Sequence, residues 1–152
     1  MKIFLLTHDR ELKRKTNTGQ LVLDCLGDRV ERIVWDRVNP NAHLVKQIQN
    51  NEIALMYPNK QSEVSNIECF ENILIIDSTW QEANKIYNRS PYLHEASKVV
   101  LDVEQSSNYR LRRNQPEGGL CTAECIIQFL RIKQMNELAD RLEQAFIIFN
   151  QQ

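Results

Sequence analysis

The chain has 152 residues, of which 42% are apolar and 26% charged, and a formal net charge of -1. That fits one globular domain with a real core, and it excludes a uniformly basic nucleic-acid coat while leaving room for a local basic face. The first apolar run, residues 3–6, is followed at once by His8-Asp9-Arg10-Glu11 and is far too short for a signal peptide or a membrane span. The protein is therefore expected in the cytoplasm, with no membrane partner. Cys25, Cys69, Cys121 and Cys125 are expected as reduced thiols. Cys121 and Cys125 stand one helical turn apart, but no second Cys or His pair completes a four-ligand zinc site, so no metal is expected.

In chain order, residues 2–7 read as a first strand, and residues 10–15 as a basic loop. Residues 17–26 read as a helix opened by Asn17 and Gln20 and closed by Gly27. Residues 32–35 form a second strand, and Asn39-Pro40-Asn41 opens a helix running to about residue 50. Residues 53–57 are a third strand, ended by the turn signal Pro58-Asn59-Lys60, and residues 62–71 are polar and irregular. The run Ile73-Leu74-Ile75-Ile76 reads as a strand buried on both faces, as in a parallel sheet covered by helices. It ends on Asp77. Thr79-Trp80-Gln81-Glu82 has the form of a capping box, so a helix starts there and runs to about residue 88. A fifth strand is expected at 99–103. Residues 104–119 make a long loop of the length usually given to function or disorder, and two helices finish the chain at 120–133 and 137–149. Leu138, Leu142, Ala145, Phe146 and Phe149 form an apolar stripe on the last. The alternation of strands and helices predicts a single-domain α/β fold, with a mostly parallel sheet flanked by helices.

Asp77-Ser78-Thr79-Trp80, with Gln81-Glu82-Ala83 after it, resembles the signature of the DTW-domain family, the tRNA-uridine aminocarboxypropyltransferases. Two further stretches match in the family's order and extend the resemblance over nearly the whole chain. One is His8 and Glu11 with Thr16-Asn17-Thr18-Gly19. The other is Ser107-x-Tyr109-Arg110-Leu111-Arg112-Arg113 with Glu117-Gly118-Gly119-Leu120-Cys121-Thr122-Ala123-Glu124. The resemblance implies a single DTW domain over 1–152 and a SPOUT-like fold whose C-terminal part forms a trefoil knot around an S-adenosyl-L-methionine pocket. True knots are rare, and nothing in the spacing of the residues predicts one. Many relatives carry extra cysteines ahead of this region; they are not found in this sequence, and no zinc-binding role is expected.

The resemblance also implies the reaction: N3 of an RNA uridine, most readily in tRNA, takes the aminocarboxypropyl group of S-adenosylmethionine, and methylthioadenosine leaves. N3 carries a proton, so a general base within hydrogen-bond reach is needed. Asp77 is the candidate, at the carboxyl end of a buried strand where open α/β sheets bind ligands; the other reading is a polar strand end holding a neighbouring loop. Cofactor contacts are expected from Thr79, Trp80, Arg112, Gly118, Gly119, Leu120, Thr122 and Glu124. Paired glycines before a helix leave backbone amides open to a ligand, and arginine grips a carboxylate with two parallel bonds. Thr79 is also explained by helix capping, Glu124 by the preference of an anion for a helix N-terminus, and Trp80 by packing. RNA contacts are expected from His8, Arg10, Lys13, Arg14, Lys15, Asn17, Tyr109, Arg110 and Arg113, the basic residues on phosphates and Tyr109 stacked on a base. A solvated charge run is the plainer reading of the same residues. The chain departs from the family at Asp9, where a proline is usual.

Two other functions compete: an RNA methyltransferase of the same superfamily, and a non-catalytic RNA- or nucleotide-binding module. G-x-G-x-x-G and G-x-x-x-x-G-K-[ST] are both missing, so dinucleotide-binding and P-loop readings lack support. The oligomeric state is open.

Overall fold

Lys2–Thr7 and Asn72–Asp77 are six-residue strands, each with four consecutive apolar residues, and they pair side by side at the centre of the sheet as β1 and β4. The structure, a computed structural model, describes residues 1–57, 66–101, 109 and 120–152. By its internal contacts the chain divides into two compact units, Met1–Lys13 with Arg29–Val100, and Arg14–Asp28 with Leu101–Gln152.

The first unit is the sheet. With β2 (Val30–Val34), β3 (Ile53–Met56) and β5 (Ser97–Val99), the strands run in the order β2-β1-β4-β3-β5, and every pairing is parallel. Period-2 alternation sends Phe4 and Leu6 of β1 and Leu74 and Ile76 of β4 to one face. There they join Leu44 and Ile48 of α2 (Ala42–Gln49), Ala83 and Ile86 of α3 (Trp80–Asn88) and Leu93 of α4 (Pro91–His94) in one buried cluster. Ile3, Leu5, Ile73 and Ile75, on the other face, are no more than 5% exposed. The central strands are therefore buried on both faces, as their unbroken apolar runs predict.

The second unit is helical: α1 (Thr18–Leu26), α5 (Thr122–Ile132) and α6 (Asn136–Asn150) pack on one another. Ala139, Leu142 and Phe146 are the buried stripe of α6, while Leu138, Ala145 and Phe149 are half-buried. Asn17 caps α1, its side chain accepting from the Gln20 amide at 2.8 Å. Gly27 closes the helix at φ 56.

Several elements differ from expectation for local reasons. The basic loop contains a 3-10 helix, Asp9–Lys13, begun by the Glu11 amide donating to the His8 carbonyl at 2.9 Å. β2 starts two residues early because Val30, like Ile33, is buried. Ser90-Pro91 opens the short helix α4, with proline in its first turn. β5 begins at Ser97 because the Lys98 ammonium, though buried, donates to the His94 and Ala96 carbonyls at 3.1 and 3.2 Å. The expected turn at Pro58-Asn59-Lys60 and the far end of the fifth strand lie outside the described residues.

A Cβ built on Gly27 meets nothing within 4 Å, so the backbone conformation alone resists substitution. Gly27→Ala is expected to destabilise the protein by about 1–2 kcal/mol through positive-φ strain, read as a lower urea midpoint with an unchanged slope.

Candidate active site

The neighbouring strands β1 and β4 send the chain to opposite sides of the sheet. From β1 the chain next joins the sheet at β2, on one side, whereas from β4 it next joins at β5, on the other. The crevice beyond the carboxyl ends of β1 and β4 is thus a topological switch point, where open α/β sheets bind ligands. Parallel register sets Thr7 beside Asp77 at its floor, and the His8 amide donates to the Asp77 carbonyl at 3.4 Å. Alternation then sends the side chains on either side of that bond to opposite faces.

Asp77 points away from the face packed by α3. Its carboxylate is 1% exposed. Oδ2 accepts from the Thr7 hydroxyl at 3.1 Å and lies 3.5 Å from Arg32 Nη2. Arg32 is on β2, in register with Leu5, so its guanidinium passes over β1, about 10 Å at two strand spacings, to reach the end of β4. Removing one member of such a buried pair leaves an uncompensated charge. The sequence reading missed Arg32. Its only signal was an arginine inside a strand of a sheet that should be covered, and its partner could not be named without the strand order.

The other face carries His8. Its ring stacks on Trp35 with centroids 5.9 Å apart, and the Trp35 indole N–H donates to Ser90 Oγ at 2.9 Å. His8 Nδ1 is 2.9 Å from Asp9 Oδ1, 3.8 Å from Glu82 Oε2 and 3.1 Å from the Arg10 amide. Glu82 belongs to the helix it caps: Thr79 Oγ1 accepts from the Glu82 amide at 3.2 Å, and Glu82 Oε1 accepts from the Thr79 amide at 3.2 Å. The capping box expected from the sequence therefore fixes the start of α3 directly after Asp77. Trp80 stands half-buried in its first turn.

A second cluster lies within the helical unit. Leu120 and Glu124 are half-buried and Thr122 is buried at the start of α5. Glu124 Oε1 accepts from the Cys121 amide at 3.1 Å, and Thr18 Oγ1 accepts from the Ala123 amide at 3.1 Å. Two of the first amides of this helix are therefore already engaged. Tyr109, expected to stack on a base, is buried; it packs on Phe146 and Phe149 and donates its hydroxyl to the Thr16 carbonyl. Asn17, also expected to touch RNA, is 4% exposed and occupied as the α1 cap. Thr16-Asn17-Thr18 thus serves as a bracket for Tyr109, α1 and α5 together.

Arg10, Lys13 and Lys15 are exposed and Arg14 half-buried. Arg110, Arg112, Arg113, Gly118 and Gly119 lie outside the described residues. Among the described residues no three His, Cys, Asp or Glu side chains gather into a metal-binding group. Burial pushes the Cys121 thiol well up and the Cys125 thiol up to about 12, away from the thiolate that a metal would need. Among the described residues no helix is long and apolar enough to cross a membrane.

A five-stranded all-parallel sheet flanked by helices, with a buried carboxylate at the end of a central strand, defines an α/β protein. The comparisons narrow it: the DTW domain model matches residues 1–152, and the chain belongs to the DTW-domain family. It is similar to tRNA-uridine aminocarboxypropyltransferase 2 of Drosophila melanogaster, 31% identical over 141 residues that cover 86% of this chain and 55% of that protein. The proteins of the same name from Mus musculus and Macaca fascicularis are 25% and 24% identical, each match covering 88% of this chain and 48% of the relative. The chain spans about half the length of the curated relatives it matches. No solved structure matches it at a significant level.

Thr7→Val, which removes a donor from a buried carboxylate, should cost about 1–3 kcal/mol, and Arg32→Met about 3 kcal/mol or more. Wild-type urea midpoints in both would show that neither partner holds Asp77. Because their pKa values are raised, Cys121 and Cys125 stay protonated at pH 8. A disulfide reagent should therefore modify exposed Cys69 first and reach these two only after denaturant is added.

Proposed function

We propose that the chain transfers the 3-amino-3-carboxypropyl group of S-adenosyl-L-methionine to N3 of a uridine in tRNA, releasing methylthioadenosine. The observation that carries this reading is the family's aspartate, Asp77, buried at the switch point beside Thr7 and Arg32. Family membership and the name of the Drosophila relative support it.

S-adenosylmethionine supplies a sulfonium that makes the γ-carbon of its methionine part open to displacement. As the N3–Cγ bond forms, the Cγ–S bond breaks and its electron pair returns to sulfur. The N3 proton goes to Asp77, acting as general base. Thr7 and Arg32 hold that carboxylate in one orientation, which matters because the remaining work is alignment of nucleophile and carbon. At the start of α5, the half-buried Leu120 suits an adenine face, Glu124 an ammonium and Thr122 a hydroxyl contact. In this reading Thr79, Trp80, Arg112, Gly118 and Gly119 are further contacts of the donor. His8, Arg10, Lys13, Arg14, Lys15, Asn17, Tyr109, Arg110 and Arg113 form the RNA side of the reading. For Asn17 and Tyr109, both buried, the contribution is to hold the backbone around them.

The reading includes a single DTW domain over 1–152, a SPOUT-like fold with a C-terminal trefoil knot, and a cytoplasmic location. Each of the first two rests on the family resemblance.

Incubation with S-adenosylmethionine and total tRNA, followed by mass analysis of nucleosides and spent donor, tests it. Aminocarboxypropyl-uridine together with methylthioadenosine is expected, and Asp77→Asn should lower the rate by about 10²- to 10⁴-fold. Methylated nucleoside with S-adenosylhomocysteine would replace the reading with a methyltransferase. No product from tRNA or rRNA would leave a binding module.

A further inference from the structure

The loop from β2 to α2, residues 35–41, leaves the sheet at the same edge as Asp77 and was given no role by the sequence motifs. Its first residue is tied into that edge: the Trp35 amide donates to the Thr7 carbonyl at 2.8 Å, and the Trp35 ring lies against His8. Its last residue, Asn41, caps α2 by accepting from the Leu44 amide at 2.9 Å. Between these anchors Asp36 Oδ1 accepts from the Val38 and Asn39 amides at 2.9 and 3.1 Å. Those bonds hold the Asp36 carboxyl below the usual carboxylate range, so it stays ionised while it ties the loop's own amides together.

Arg37 and Val38 are left at the tip. Arg37 is exposed and has no hydrogen bond or ion pair among the described residues. Val38 is 80% exposed, the barest large apolar side chain among the described residues. The neighbouring 3-10 helix after β1 shows the same sorting of charge. Its Arg10 and Lys13 are exposed without ion pairs, while Asp9 faces His8 and Glu11 is buried. At this edge Asp9, Asp36, Asp77 and Glu82 are each engaged with protein groups. Arg10, Lys13 and Arg37 are the exposed cations here without an ion pair among the described residues, whereas the exposed carboxylates of Asp9 and Asp36 are turned onto His8 and onto the loop's own amides. Those three cations are open to the phosphates of a polyanion passing over the switch point.

We propose that the β2–α2 loop is an RNA-docking element, with the Arg37 guanidinium on a backbone phosphate and Val38 against the apolar face of the adjoining sugar or base. The assignment rests on the RNA substrate of the proposed function and deepens it. Arg37 positions the strand beside Asp77 without reading sequence, because phosphate contacts carry none.

The test uses the full chain with total tRNA and reads two quantities separately: RNA affinity across a salt series, and product formation. Arg37→Ala should weaken tRNA binding about three- to tenfold and lower the slope of log affinity against log salt by about one. Arg37→Lys should restore the slope, Val38→Ser should weaken binding with the slope unchanged, and donor affinity should stay at the wild-type value in all three. Unchanged tRNA affinity and slope in Arg37→Ala, with the wild type forming aminocarboxypropyl-uridine, would overturn the docking loop and leave the reaction standing. Arg37-dependent binding without that product would uphold the loop and sink the reaction. Wild-type protein that binds no RNA would overturn the loop whatever small-molecule chemistry it performs.

Discussion

The pairing of β1 with β4 is the constraint on which everything at the site depends. Their register sets Thr7 opposite Asp77, and a shift by one residue would turn every side chain of one strand to the other face. Asp77 would then point into the α3 face and lose both Thr7 and Arg32, while apolar residues of β4 would meet the wrong layer. Burial on both faces enforces the register: Ile73 and Leu74 are at most 1% exposed, so neither face tolerates a slip. The chemistry at the end of the strand is thus fixed by the oil along its length.

The same register explains why neighbours along the edge do different jobs. Asp77 and His8 are joined through the backbone, yet their side chains diverge. Asp77 joins an ion pair reaching over β1, whereas His8 joins Trp35, Ser90 and Glu82 on the helical side. Glu82 belongs at once to the cap of α3 and to the surroundings of His8, so one side chain links the helix start to the turn after β1.

What was legible in the sequence was what depends on near neighbours. The Thr79 capping box, the Asn17 cap and the Gly27 stop involve groups a few residues apart, and all three form as read. The central strands could be recognised from their unbroken apolar runs. Arg32 could not be assigned, because its partner lies 45 residues away and is defined by which strands adjoin. Tyr109 is expected from the sequence to stack on a base; in the structure its ring packs on Phe146 and Phe149, far along the chain. β5 begins two residues before the expected strand, because the His94 and Ala96 carbonyls make a buried lysine acceptable there.

The inner partner of β1 is 70 residues downstream. During synthesis β1 is therefore made well before the strand that closes its inner side. β2 arrives soon on one flank, but at about 5–20 residues per second several seconds pass before β4 can close the other. Through that interval Ile3, Phe4, Leu5 and Leu6 present a bare ladder edge of a kind that invites foreign strands. A nascent chain of this topology is safest when something shields β1 until residue 77 has emerged, so the arrangement that builds the site also sets a vulnerable interval in its synthesis.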